Sequence, residues 1–396
     1  SGWPIDREDL DPYYRRAVDT LDLGAHEWTP GTIAERNDET LLPFDDLPAA
    51  TTVYQFSPPT EFDDKYRSEL ESHDDVEVFL HANLVHVGLA PNGRSVDHLE
   101  CKTPEGTSFT ARADTYVLAM GGIENPRMLL ASDDVHSDGI GNAHDNLGRY
   151  FMEHPRLFGI PAVFVTRPDI DVASYFGRPK LTYRDDQRGN SRTAKSMLAL
   201  EVPPQARRRR QLLGLSVTFA EAFDTSRDGH LTGRHIADTV GLDHDGDQRM
   251  FLTQLRTEQP PSPESRITLL DERDRLGVPR ARLDWHIDDD YFESLRRSLL
   301  TLGSGLARGD LGRIWLSTDE SGRIDHDFEG SHHHMGTTRM SDRPEDGVVD
   351  PDCRVHGVAN LYVAGCSVFP TAGYANPTFT LVALAHRLSD HLTSNL

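Results

Sequence analysis

Two short apolar runs that end in glycine constrain this chain most. Tyr116-Val117-Leu118-Ala119-Met120 closes on Gly121-Gly122, and Asn360-Leu361-Tyr362-Val363-Ala364 closes on Gly365. Unalternated apolar runs bounded by turn residues are the pattern of strands buried on both faces of a parallel sheet. Between them, from about 156 to 313, the text changes to alternating segments parted by polar loops. Phe158 to Val165, Lys195 to Val202, Leu212 to Phe219, Arg249 to Leu255, Ser265 to Leu270 and Arg280 to Trp285 read as strands in series. Strands in series with few helices predict an antiparallel sheet. Asp288 to Ala307 reads as one long helix beneath or beside it. The chain is expected to leave one body, build a second, and return.

The first sixty residues are acidic and Pro-rich, with one amphipathic helix around Asp9 to Leu21. Glu61 to Ser72 reads as a helix. Val76 to Leu80, Leu84 to Leu89, Val96 to Lys102 and Ser108 to Ala111 read as strands, the last two joined by a turn at Pro104-Glu105-Gly106. Ile123 to Ser132 and Pro377 to Leu392 read as helices. A length of 396 residues with 37 % hydrophobic side chains allows two bodies, each with its own core. No apolar run approaches the ~20 residues that cross a bilayer.

The net charge is −23 and the isoelectric point is near 5.2. A field of that sign repels phosphate backbones and argues against nucleic acid as a partner. Of 41 basic residues only Lys65, Lys102, Lys180 and Lys195 are lysines. Many carboxylates with almost no lysine is the surface of a protein kept soluble in concentrated salt, a halophilic adaptation. The exception, Arg207-Arg208-Arg209-Arg210, is expected to be an exposed loop. Cys101, Cys353 and Cys366 form no CxxC, which fits a reducing, cytoplasmic interior. No signal peptide is visible. The chain opens on Ser1-Gly2-Trp3-Pro4 without an initiator Met, so a preceding segment is expected.

Most motifs have a plain reading. Gly303-Ser304-Gly305-Leu306-Ala307-Arg308-Gly309 trails a helix and lacks GxGxxG spacing, so it is assigned to a helix C-cap and loop. Asp224 to Gly229 resembles the start of a calcium loop, but its twelfth position is His235. Asp243, Asp245 and Asp247 alternate without a glycine turn in register, and both stretches read as hydrated acidic loops. His332-His333-His334 cannot point three rings one way in an extended segment, and no HExxH spacing supports a metal. The glycine-bearing turn at Met335-Gly336-Thr337 could aim one of those rings into a cleft. Ala375-Asn376-Pro377-Thr378 places Asn at the N-cap and Pro at the first position of the closing helix, an end that favours an anion.

These residues resemble a family. Gly330-Ser331-His332-His333-His334-Met335-Gly336-Thr337-Thr338-Arg339-Met340, Gly347 to Gly357, Asn360 to Thr371 and Tyr374-Ala375-Asn376-Pro377-Thr378 together look like the C-terminal signature of the glucose–methanol–choline (GMC) flavin oxidoreductases. The nearest likeness is the branch of pyranose oxidase and fructose dehydrogenase. Gly121 to Leu130 resembles the second internal signature, and Asn146 to Pro155 the entry into the substrate domain. The departure is the missing N-terminal strand, GxGxxG turn and helix. The resemblance therefore implies a mixed α/β plus α+β protein: an incomplete, sequence-discontinuous FAD-binding (Rossmann-like) domain with an inserted antiparallel substrate domain. The expected parts are a connecting segment over 1–60, FAD-binding residues 61–150, substrate-binding residues 151–330, and a returning FAD-binding part over 331–396.

The resemblance also implies a chemistry. An alcohol or sugar CH–OH group would be oxidised with FAD as cofactor, the hydroxyl proton going to a base and the hydride to flavin N5. His333 matches the base, an imidazole with a reference pKa of ~6.5. Asn376 matches the amide that donates to the alcohol oxygen. Val85, Gly365, Cys366, Asn376, Pro377 and Thr378 match cofactor-side positions, and no metal is expected. His332 and His334 are assigned structural roles. The alternative is a non-catalytic remnant, or a subunit that needs a separate N-terminal FAD-binding chain. Substrate, electron acceptor and covalent attachment of the flavin stay open.

Overall fold

The computed structural model describes residues 2–395 except 25, 59, 166–169, 177–180, 185–192, 225–248, 317, 321–323 and 325–327. Both acidic loops weighed for calcium lie largely or wholly outside the described residues.

The apolar residues gather into two cores. The first is built on a parallel pair, β5 (Tyr116–Leu118) and β14 (Leu361–Val363), in the register Tyr116↔Leu361. Three helices pack on it: α1 (Arg7–Thr20), α4 (Gly121–Ala131) and the closing helix α7 (Thr378–Asn395). Helix α1 forms because Leu10, Tyr14, Ala17 and Val18 recur on one face and are all buried. Beside this core runs a meander of β2 (Asn83–Leu89), β3 (Val96–Lys102) and β4 (Ser108–Ala111). Val87, Leu89 and Val96 of the meander fill the same core.

The second core lies under a seven-stranded antiparallel sheet. Its order is β1 (Ala50–Phe56), β8 (Thr193–Glu201), β9 (Leu215–Asp224), β10 (Arg249–Thr257), β6 (Arg156–Val165), β13 (Gly312–Trp315), with β7 (Leu181–Arg184) pairing β8 off that path. Helix α6 (Asp289–Arg308) lays Tyr291, Leu295, Leu299, Leu302 and Leu306 along one stripe and buries all five. That repeat of three and four residues is why the segment is a helix and why it covers the sheet. A separate hairpin, β11 (Arg266–Arg273) with β12 (Pro279–Asp284), packs against α4.

The structure corrects several expectations. Val76 to Leu80 is not a strand; it runs irregular and exposed because no neighbouring strand offers it a ladder. The four arginines are not a loop but the last turn of a short helix, α5 (Pro204–Arg210), where basic residues suit the carbonyl end. Arg207 lies 3.5 Å from Glu201 and 5.3 Å over the Tyr374 ring. Gly303 and Gly305 belong to the body of α6, and only Gly309 caps it. Gly305 is there for contact: a Cβ on it would come within 2.6 Å of the Ala49 Cβ. The first sixty residues also do more than connect. They supply α1 to one core, and a helix α2 (Pro30–Arg36) and β1 that pack in the other.

Candidate active site

Glu153 organises the histidine triplet. Its side chain is buried, and it accepts the backbone N–H of His333 at 2.8 Å, of Ser331 at 2.9 Å and of His154 at 3.1 Å. Charge-assisted bonds to amides are short and strong, so one carboxylate pins the start of the loop. Ser331 Oγ adds a bond to the His154 carbonyl at 2.7 Å, and Met152 and Met335 exchange both backbone bonds. Glycine makes the approach possible. Gly336 has φ +88°, and a Cβ on it would lie 2.2 Å from the Tyr150 carbonyl oxygen; one on Gly122 would lie equally close to the His334 oxygen.

The three rings have different surroundings, and the triplet is not extended. His332 sits at φ +60° and is exposed. His334 packs 5.7 Å from the Phe151 ring, with Nε2 3.4 Å from Glu153 Oε1. His333 turns inward, half-buried, and its Nδ1 lies 3.0 Å from His154 Nδ1. Burial pulls the His154 imidazole down to about 4, with the His333 charge adding to that. His333 is also held below the usual histidine value. Burial is the largest cause, Glu153 opposes it, and Arg256, Arg156 and His334 reinforce it. Both rings are therefore neutral near pH 7.

Two cations stand close by. Arg156 and Arg256 are directly opposite in the β6–β10 register, an arrangement that like charges disfavour. Arg156 Nε and Arg256 Nη1 are buried without a hydrogen-bond partner. Burial also pulls the Arg256 guanidinium below its usual value.

Asn376 is exposed on the shared wall of two cavities. One, of about 610 Å³, is lined by Trp3, Thr371, Ala372, Tyr374 and Pro377 among others. The second, of about 500 Å³, has Trp28, Tyr54, Arg256, Thr378 and Phe379 on its walls. The Asn376 cap is one residue displaced from the expectation. The Leu381 N–H bonds to the Pro377 carbonyl, so Pro377 takes the cap position, Thr378 opens α7, and Asn376 is left outside with its amide uncommitted to capping. No hydrogen bond joins Asn376 to His333. The link between them is indirect: His154 Nε2 lies 3.4 Å from the carbonyl of Ala372, in the stretch that leads to Asn376.

The remaining expected positions are dispersed. Val85, on β2, packs against the first core. Gly365, at the carboxyl end of β14, has φ +116°, and a Cβ there would meet nothing within 4 Å. Cys366 donates its thiol to the His334 carbonyl at 3.2 Å, and burial pushes it up to about 11. Open space beyond a parallel strand end and paired cavities at a helix start suit a planar ring. For a pyrophosphate the fit fails. Among the described residues the one glycine turn between a parallel strand and an α-helix, Gly121-Gly122, is covered by His334 and by Thr337, whose Oγ1 donates to the Gly122 carbonyl. The sequence reading passed over Glu153 and His154 as site residues. Their only signal was an acid–histidine pair ahead of Pro155 in a segment already likened to the family.

Comparison with known proteins agrees with the motifs. Residues 261–385 match the GMC oxidoreductase family model. The 2-methyl-1,2-propanediol dehydrogenase of Mycolicibacterium austroafricanum is 24 % identical over 310 residues, 76 % of this chain and 52 % of that protein. The fructose dehydrogenase large subunit of Gluconobacter japonicus is 26 % identical over 299 residues, 74 % of this chain and 49 % of that one. The chain spans about half the length of these curated relatives. In fold it is similar to pyridoxine 4-oxidase from Mesorbium loti, with a TM-score of 0.55 and 16 % identity, over 99 % of this chain and 71 % of that one.

Proposed function

With kinship to the GMC oxidoreductases as the premise, we propose that this chain carries the catalytic half of an FAD-dependent enzyme that oxidises the CH–OH group of an alcohol or sugar. The observation that supports it best is the neutral, half-buried His333, pinned through its backbone by Glu153 and backed by a second neutral imidazole. Such a ring can accept a hydroxyl proton near pH 7. Asn376, exposed on the walls of both cavities, donates its amide to the alcohol oxygen as negative charge develops there. Pro377 and Thr378, at the positive start of α7, would hold a flavin ring, with Val85, Gly365 and Cys366 as further cofactor-side residues. A flavin, when bound, accepts the carbinol hydride. A His333→Ala variant of the flavin-loaded enzyme should lose about 10²- to 10⁴-fold in turnover; near-normal turnover would end the assignment.

A second reading is that the chain works only with a complementary N-terminal unit, and without one is a non-catalytic remnant. Two observations favour dependence on such a unit. The parallel sheet has only two strands among the described residues, and Phe79 and Leu80 ahead of β2 are 71 % and 76 % exposed. The lone chain should then bind FAD weakly or not at all. Titration of the purified chain with FAD decides this, since a sub-micromolar dissociation constant contradicts it.

A further inference from the structure

The contacts around His333 determine which of its nitrogens carries the proton. His154 is fully buried, and its Nε2 faces the carbonyl oxygen of Ala372 at 3.4 Å, with the Gly373 carbonyl also bonding the ring. A carbonyl oxygen only accepts, so Nε2 must carry the hydrogen. A buried, neutral imidazole protonated at Nε2 is bare at Nδ1. The group 3.0 Å from that bare nitrogen is His333 Nδ1, which must therefore donate. His333 is then neutral with its hydrogen on Nδ1, and its Nε2 keeps a lone pair with no hydrogen-bond partner among the described residues. The reverse tautomer would turn a lone pair on His154 Nε2 toward two carbonyl oxygens.

We propose that Glu153 and His154 form one positioning unit that holds His333 in the Nδ1–H tautomer, leaving Nε2 bare to take a proton. Glu153 fixes the backbone of the loop by accepting the amides of Ser331, His333 and His154, and His154 fixes the ring. The use of that bare nitrogen rests on the function proposed above. In the step it serves, the alcohol O–H bond breaks and an Nε2–H bond forms. The charge goes from a neutral pair to alkoxide and imidazolium, and the Nδ1–H stays bonded to His154 throughout. The charged or titratable groups facing His333 are Glu153 and His154 from the segment entering β6, Arg156 on β6, Arg256 on β10, and His334 on its own loop. Glu153 alone among them raises its basicity.

Histidine-selective ¹⁵N NMR of the purified chain at pH 7 reads the tautomer without turnover. The expected result is His333 protonated at Nδ1. His154→Asn, whose carbonyl can stand where Nδ1 stood, should keep that tautomer, whereas His154→Phe should lose it and lower kcat about 100-fold with little change in KM. Glu153→Gln removes the one group that holds His333 up, so the acid limb of the pH–rate profile should move to lower pH. A merely structural role would not move it. His333 protonated at Nε2 in the unaltered chain, or a His154→Phe variant with tautomer and kcat unchanged, overturns the proposal. A chain with the expected tautomer that oxidises no alcohol when flavin-loaded refutes the functional reading and upholds the positioning.

Discussion

The antiparallel body and the parallel body bury their apolar residues in different ways. In the first, Phe219 and Phe251 stack at 4.9 Å with planes 14° apart, and α6 seals the sheet from beneath. In the second, two three-residue strands are held by the helices packed on them, Val117 of β5 is 43 % exposed, and the 76–80 segment lies open. One body covers its apolar residues with its own sheet and helix; the other presents apolar surface at Val117. The histidine loop joins the two, since Glu153 leads into β6 while Gly336, Thr338 and Met340 bond to Cys366, Ser367 and Val368 beyond β14. Under the function proposed above, the base would be placed from the finished side and the cofactor from the open one.

The largest effect expected on this contrast is Phe219→Ala, which should cost about 3–5 kcal/mol in denaturant unfolding of the antiparallel body. A much smaller loss would mean that this body is not the self-sufficient one. Acid should come next. The folded value of His154, about 4, lies below the unfolded reference of ~6.5, so the unfolded chain binds the extra proton between them. The stability it contributes is present above about pH 6.5 and is lost as pH falls toward 4, to the extent of roughly 3 kcal/mol. Unfolding measured across that window should show the slope, and His154→Phe should remove it. Gly336→Ala, forced to φ +88° against the Tyr150 carbonyl, should cost about 1–3 kcal/mol in thermal unfolding and loosen the joint between the bodies. Smallest of all is Phe79→Ser, within about 0.5 kcal/mol in the lone chain. A larger loss would show the 76–80 segment already packed and the open side closed.

Much of this was legible because the signals are local. The stripe Tyr291, Leu295, Leu299, Leu302, Leu306 is complete within one helix, and β3 and β4 lie where their alternation places them. Val76 to Leu80 departs from its expectation because four apolar residues around Glu77 specify a strand only when a neighbour exists to pair with. Strand β1 was overlooked although Thr51, Thr52, Val53, Tyr54 and Phe56 are strand formers; the proline-rich text around them hid it. At the site, the glycine turn points to one ring of the triplet, and only the family resemblance singles out His333. Glu153 and His154 act on it across some 180 positions of chain, a pairing that no spacing rule expresses.

The opposed arginines at the foot of the sheet bear on the conditions under which the protein can work. Burial above all, and the Arg256 and Arg156 guanidinium charges after it, make a positive charge on His333 unwelcome, so it sheds its proton in more acidic solution than a free histidine would. Under the base role proposed above for His333, this widens the usable range on the sour side of neutrality. The arginine pair that crowds this corner of the sheet thereby adds to what burial does to the ring.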